Sequence, residues 1–176
     1  MGSKEEKDFL DAFEKYADAL FRHAHFRLSD RERAYDLTQE TYLKAWDYVA
    51  SGGVVRHYKS FLYRILHNLI IDEYRKKRGA SLDELLENET SAPAVEALLS
   101  EGSVRDAEES LDEQALVETI RSRIDELPAQ YRDVLVFRFV DGLSTGEIAA
   151  MMGVSGNVVS VRIHRGLAKL RIICNL

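Results

Sequence analysis

The sequence predicts an all-α protein: two small helical domains joined by an acidic linker. Three observations predict it. Apolar residues recur at helical spacing in both end regions, and no alternating strand pattern of useful length occurs. Charge is unevenly spread, with residues 1–78 carrying +2, 79–118 carrying -11 and 119–176 carrying +3 within a formal net charge of -6. The middle stretch has no aromatic residue and holds Pro93, one of 2 prolines. The domains expected are therefore 1–78 and 113–176, with the linker at 79–112.

The first element is a helix with Phe9, Phe13, Tyr16, Ala17, Leu20 and Phe21 on one face. The second is "RERAYDLTQETYLKAWDYV", 31–49, with Leu37, Thr41, Ala45 and Tyr48 along one side. The paired glycines of "SGGVVRHYK" break the pattern. A third helix, "SFLYRILHNLIIDEYRKKR" at 60–78, packs Leu62, Ile65, Leu66, Leu69 and Ile70 inward. In the linker, Ser81 and Glu84 form a capping-box pair. "LVETIRSRIDEL" and "AQYRDVLVFRFVDG" supply two more helices, with Pro128 at the first-turn position of the second.

The last motif, "LSTGEIAAMMGVSGNVVSVRIHRGLAKLR" at 143–171, has helix-turn-helix spacing. Ser144 and Glu147 cap the first helix, Ala149 is small at the crossing, and Gly153 turns the chain. Val159 plugs the core from the second helix, which Ser155 can cap. On that helix Val159, Ile163, Gly166, Leu167 and Leu170 face inward. Asn157, Val161, His164, Arg165 and Ala168 face outward, flanked by Arg162 and Lys169, and neither the helix nor the chain after it holds an acidic residue. Such a face suits a major groove, with polar side chains for base edges and cations for phosphates. Packing or protein contact is the alternative use.

Beside the core stripe of the third helix run Tyr63, His67, Ile71, Tyr74 and Arg78, then Arg64, Asn68 and Arg75. Aromatic faces interleaved with cations can stack unpaired bases. An amphipathic boundary ending in a solvated basic run explains the same residues.

Other classes find little support. The single cysteine, Cys174, forms no internal disulfide, which points to a reducing compartment. No apolar run approaches the ~18–20 residues of a membrane span. The start, "MGSKEEKDFL", lacks a secretory pattern, and Glu6 stands where myristoylation needs Ser or Thr. A cytoplasmic protein without membrane insertion is expected. An enzyme is not: no Gly-rich phosphate loop or metal-ligand spacing appears, and His23 and His25, two apart, face different ways. No cofactor, metal or catalytic residue is expected.

"DLTQETYLKAWDYV" followed by "SFLYRILHNLIIDEYRKKR" resembles the promoter-melting domain of bacterial sigma factors. "LPAQYRDVLVFRFVDGLSTGEIAAMMGVSGNVVSVRIHRGLAKLR" resembles their C-terminal domain. Two domains and a linker resemble the extracytoplasmic-function (ECF) group, over about 8–78 and 113–172. The resemblance implies a transcription-initiation subunit that binds core RNA polymerase and promoter DNA, with an anti-sigma factor as a further partner. Docking on polymerase would fall to Asp36, Gln39, Glu40, Lys44 and Trp46. The minus-ten element would meet the loop at 50–59, with His57, Tyr58 and Lys59, and then Tyr63, Arg64, His67, Asn68, Tyr74, Arg75 and Lys76. The minus-thirty-five element would meet Ser155, Asn157, Val158, Val161, Arg162, His164, Arg165 and Lys169.

One departure stands out. Val158, Ser160 and Val161 occupy positions where Thr, Lys and Ser are common, which weakens phosphate contact and favours thymine methyls. The linker's 34 residues reach at most about 110–120 Å extended, enough to join two promoter elements. Its acidity fits either a self-repelling spacer or a nucleic-acid mimic that lowers DNA affinity. A stand-alone helix-turn-helix regulator of operator DNA is the competing reading, although it leaves 36–78 without an obvious use.

Overall fold

The computed structural model describes residues 3–78 and 111–175. The helices are α1 (Ser3–Leu28), α2 (Arg31–Ala50), α3 (Tyr58–Arg78), α4 (Leu111–Asp125), α5 (Ala129–Leu135), α6 (Thr145–Met152) and α7 (Gly156–Ile173). A π-helical stretch, Val136–Val140, prolongs α5. Among the described residues there is no strand. The Ser81–Glu84 pair lies outside the described residues, and α4 begins two residues before the expected domain boundary at 113.

Helices α1–α3 form the N-terminal bundle around Leu20, Ala24, Leu37, Ala45, Leu62, Leu66 and Ile70. Ser29 adopts the left-handed conformation (φ 56°) between α1 and α2, and the Asp30 carboxylate accepts from the Arg33 N–H at 3.0 Å to start α2. Leu37, Thr41 and Ala45 are buried as expected, but Tyr48 is 45% exposed and Val49 turns inward instead. Four residues past Ala45 stays nearer its face than three does when the stripe drifts this way. The Tyr48 ring lies 5.1 Å from that of Phe61. It also covers Gly53, where a Cβ would fall 2.3 Å from the ring, so the turn after α2 requires glycine.

The C-terminal half follows its capping signals closely. Ser144 and Glu147 form a complete capping box on α6, Gly153 ends it at φ 67°, and the Ser155 hydroxyl accepts from the Val158 N–H. Val159 is fully buried between the helices. Pro128 takes the N-cap rather than the first helical position, and its carbonyl accepts from Tyr131 and Arg132. That one-residue shift lies within the latitude of helix ends.

Sequence patterning suggests two separate bundles, yet the buried apolar residues of both halves form one continuous cluster. Helix α3 packs on α6, and the fully buried Phe137 of the π stretch enters the N-terminal bundle. Helical periodicity reports that a face is apolar and does not say which neighbour covers it.

Where α7 crosses α5, a Cβ on Gly166 would stand 3.1 Å from Leu135 Cδ1 and 3.3 Å from Tyr131 Cβ. Gly166→Val is expected to lower stability by about 2 kcal/mol, because the crossing is already close-packed. Gly156→Ala, with nothing within 4 Å of the added carbon, is expected to cost nothing measurable. Urea unfolding monitored by circular dichroism compares the two.

Candidate polymerase-docking and nucleic-acid surfaces

On α2, Asp36, Gln39, Lys44 and Trp46 are exposed and Glu40 is half-buried, so the five residues lie on one accessible side. Glu40 pairs with Lys44 at 3.6 Å and Asp36 with Arg33 at 3.8 Å, surface contacts that leave the face open. The Trp46 ring is steadied by Phe9, 5.2 Å away. Sequence reasoning missed Leu43, which is 65% exposed in the middle of this polar stripe. The signal was available: Leu43 follows Asp36 by seven residues and Glu40 by three, the spacing of one helix face.

Helix α3 divides the expected minus-ten residues into two groups. Arg64, Asn68, Arg75 and Lys76 are exposed, and at ~100° per residue Arg64, Asn68 and Arg75 share a face. Tyr63 and His67 are 2% and 9% exposed. The Tyr74 hydroxyl donates to the Arg27 carbonyl, and the guanidinium carbons of Arg27 and Arg132 lie 5.7 and 5.8 Å from its ring centre. In this arrangement Tyr63 and His67 face the C-terminal half and not solvent, and Tyr74 is half-buried at its edge. The expected 50–59 loop ends at His57, which is exposed, while Tyr58 and Lys59 open α3 and are half-buried beside a cavity of about 650 Å³ that α6 borders with Gly146, Glu147 and Ala150. Lys59 Nζ meets Glu147 Oε1 there at 3.5 Å.

The contact between the halves is polar at its centre. Arg27 donates to Asp133 at 2.8 Å with both side chains buried. His67 Nε2 lies 3.6 Å from the other Asp133 oxygen, and His23 Nδ1 donates to Asp141 at 2.7 Å. Burial alone would raise the Asp133 pKa, but Arg27, His67 and Arg132 together hold it below the ordinary carboxylate value. Burial pushes the His67 imidazole down to about 4, against a weaker upward pull from Asp133. His67 Nδ1 is buried without a hydrogen-bond partner, so a second proton there would find no acceptor.

On α7, Ser155, Asn157, Val158, His164 and Lys169 are exposed, and Val161, Arg162 and Arg165 are half-buried. The Ser155 hydroxyl is engaged as a cap, and Lys169 sits 5.5 Å over the Tyr131 ring. The outward face expected from the sequence is thus assembled on one helix and stays open while the halves are packed together. No helix among the described residues is long and apolar enough to cross a membrane, and no cluster of metal-ligating residues occurs among them.

Residues 12–80 match the family described as Sigma-70 region 2, and residues 118–170 match Sigma-70, region 4. The chain is 32% identical over 165 residues to the ECF RNA polymerase sigma factor SigW of Bacillus subtilis (strain 168), covering 93% of this chain and 87% of that one. It is 29% identical over 166 residues to the ECF sigma factor SigL of Mycobacterium tuberculosis (strain ATCC 25618 / H37Rv), covering 91% and 85%. The fold resembles RpoE of Bartonella quintana in complex with the anti-sigma factor NepR (TM-score 0.66, 24% identity, 97% of this chain and 98% of that one). It also resembles CnrH in complex with the cytosolic domain of CnrY (TM-score 0.68, 21% identity, 97% and 89%). Two such regions in this order are those of a promoter-recognition subunit of bacterial RNA polymerase. The chain belongs to the ECF group of RNA polymerase sigma factors and directs promoter-specific initiation of transcription, and a stand-alone operator-binding regulator is not favoured.

The sequence reading missed His23, Arg27, Asp133, Phe137, Asp141 and Glu147 as interface residues. A faint signal existed in Asp133, Phe137 and Asp141, acidic–aromatic–acidic at steps of four. An NMR titration of His67 is expected to give a midpoint near 4, and Phe137→Ala to return it toward the ordinary 6.5. The unpacked state takes up the proton below 6.5 and the packed state does not until about 4. Packing is therefore unaffected above pH 6.5 and weakens as pH falls, by up to roughly 1.4 kcal/mol per pH unit.

Proposed function

We propose that this ECF sigma factor divides its work among three faces. Residues 1–78 form the polymerase-docking and minus-ten domain, 79–112 the linker, and 113–176 the minus-thirty-five domain. The outer side of α2, with Asp36, Gln39, Glu40, Lys44 and Trp46 around Leu43, grips the largest subunit of core polymerase. Exposed Leu43 beside a ring-steadied tryptophan is the apolar anchor such a contact needs within a polar rim.

Promoter DNA engages two surfaces. Arg64, Asn68, Arg75 and Lys76 follow the backbone of the melted non-template strand, with Tyr63, His67 and Tyr74 as stacking partners once the C-terminal half moves away. His57 of the loop, with Tyr58 and Lys59 at the start of α3, receives an unpaired base. Upstream, α7 enters the major groove with Asn157, Val158, Val161, His164 and Arg165 toward base edges, and with Ser155, Arg162 and Lys169 toward phosphates. Val158 and Val161 favour a thymine-containing minus-thirty-five element. The observation that carries the whole reading is the separation of three accessible faces onto α2, α3 and α7 of one chain.

RpoE and CnrH are each seen with an anti-sigma partner, and we extend that partner class to this chain. The protein acts in the cytoplasm, as a specificity subunit and not as an enzyme.

Leu43→Glu is expected to weaken retention on core RNA polymerase about tenfold, ~1.4 kcal/mol, without loss of helicity. Arg64→Ala with Arg75→Ala is expected to leave retention intact and reduce promoter opening, read as permanganate reactivity of thymines in the minus-ten region. Tight binding of duplex DNA by a chain that never binds core polymerase would sink this reading.

A further inference from the structure

A cavity of about 650 Å³ opens between the N-terminal part of α1, the start of α3 and α6. That lies within the roughly 300–1,000 Å³ usual for small-molecule sites. Its α1 wall carries Asp8, Asp11 and Lys15, spaced three and four residues apart and so aligned along one side of the helix. The start of α3 and the residues before it contribute Arg56, His57 and Tyr58. Lys59 also reaches the cavity but is paired with Glu147 at 3.5 Å. Asp8, Asp11, Lys15 and Arg56 line the same space, yet among the described residues they form no ion pair.

The charges are sorted along the cavity. At 1.5 Å per residue Lys15 lies about 10 Å beyond Asp8 along α1, so the carboxylates hold one end and an ammonium the other. Tyr58 belongs to the carboxylate end. Its ring packs edge-on against Phe9 with centroids 6.4 Å apart, and burial, then Asp8 and Glu5, hold its phenol above the ordinary pKa. The Lys15 ammonium stands 5.4 Å from the Tyr16 ring centre at the far end. Beside α6 the cavity is open at Gly146, where a Cβ would meet nothing within 4 Å.

A ligand that satisfies both ends needs hydrogen-bond donors at one, an anion at the other and a flat body between. Two side-by-side N–H groups match a carboxylate bidentately. Guanine carries such a pair, N1–H and N2–H, on its pairing edge. Adenine sets an acceptor beside its amino group there, which a carboxylate repels. A phosphate monoester brings about -1.5 to -2 charges at neutral pH, which Lys15 and Arg56 balance. Tyr58 and His57 offer ring faces for the purine.

We propose that this cavity binds guanosine 5′-monophosphate, with the guanine edge on Asp8 or Asp11, the purine against Tyr58 and the phosphate between Lys15 and Arg56. The site shares His57 and Tyr58 with the surface proposed to receive an unpaired promoter base. Neither DNA nor polymerase enters its assembly, so it stands or falls apart from that reading.

Isothermal titration calorimetry of the full chain with guanosine 5′-monophosphate is expected to give a Kd of about 100 µM or tighter, at least about tenfold below that for adenosine 5′-monophosphate. Asp8→Asn with Asp11→Asn is expected to erase most of that preference, because an amide supplies one acceptor oxygen and not two. Lys15→Gln with Arg56→Gln is expected to weaken both nucleotides about tenfold. Gly146→Leu, which fills the open side without touching a charge, is expected to remove binding while circular dichroism shows the helices intact. No binding of guanosine 5′-monophosphate by wild type at millimolar concentration overturns the proposal, as does equal affinity for the two nucleotides. So does wild-type affinity in both Gly146→Leu and the lysine–arginine variant, because the nucleotide then sits elsewhere. Failure of the proposed function reads out separately, as absence of retention of the wild-type chain on core polymerase, and leaves the titration unaffected.

Discussion

The arrangement of the molecule depends on one buried ion pair, Arg27 with Asp133. A guanidinium and a carboxylate leave water together only when their geometry and remaining hydrogen bonds repay desolvation. Here the Tyr74 ring lies against Arg27, its hydroxyl bonds to the Arg27 carbonyl, and His67 and Arg132 approach Asp133 from either side. Such a pair adds little net stability over an apolar contact, but it tolerates few other docking geometries. It acts as a register mark for how the two halves meet.

Around this mark the sequence is economical. Helix α1 is apolar along its inner face to Leu20, then presents His23 and Arg27 one turn apart, both buried. The same face thus serves as core at one end and as an interdomain polar contact at the other. Helix α3 likewise gives Leu62, Leu66 and Ile70 to its bundle, Tyr63 and His67 to the junction, and Arg64 and Asn68 to solvent. Three consecutive residues on one helix therefore belong to three environments.

Helices, caps and the helix-turn-helix were legible because their signals are local: Ser144 with Glu147, Gly153 and Ser155 each act within a turn of themselves. The surface faces of α2 and α7 were legible for a similar reason, since helical phase separates them from the buried stripe. Burial of Tyr63 and His67 was not legible. An amphipathic boundary looks the same whether it meets solvent, DNA or another domain, and Phe137 approaches from 70 residues beyond His67. Tyr48 and Val49 exchanged places because a drifting stripe leaves two adjacent positions nearly equivalent until a neighbour such as Phe61 decides between them.

The contact at Gly166 reaches beyond local packing. By letting the backbone of α7 rest against Leu135 and Tyr131, it joins α7 to the helix that carries Asp133. Because that crossing is close-packed, any displacement of α7 carries Asp133 and Phe137 with it.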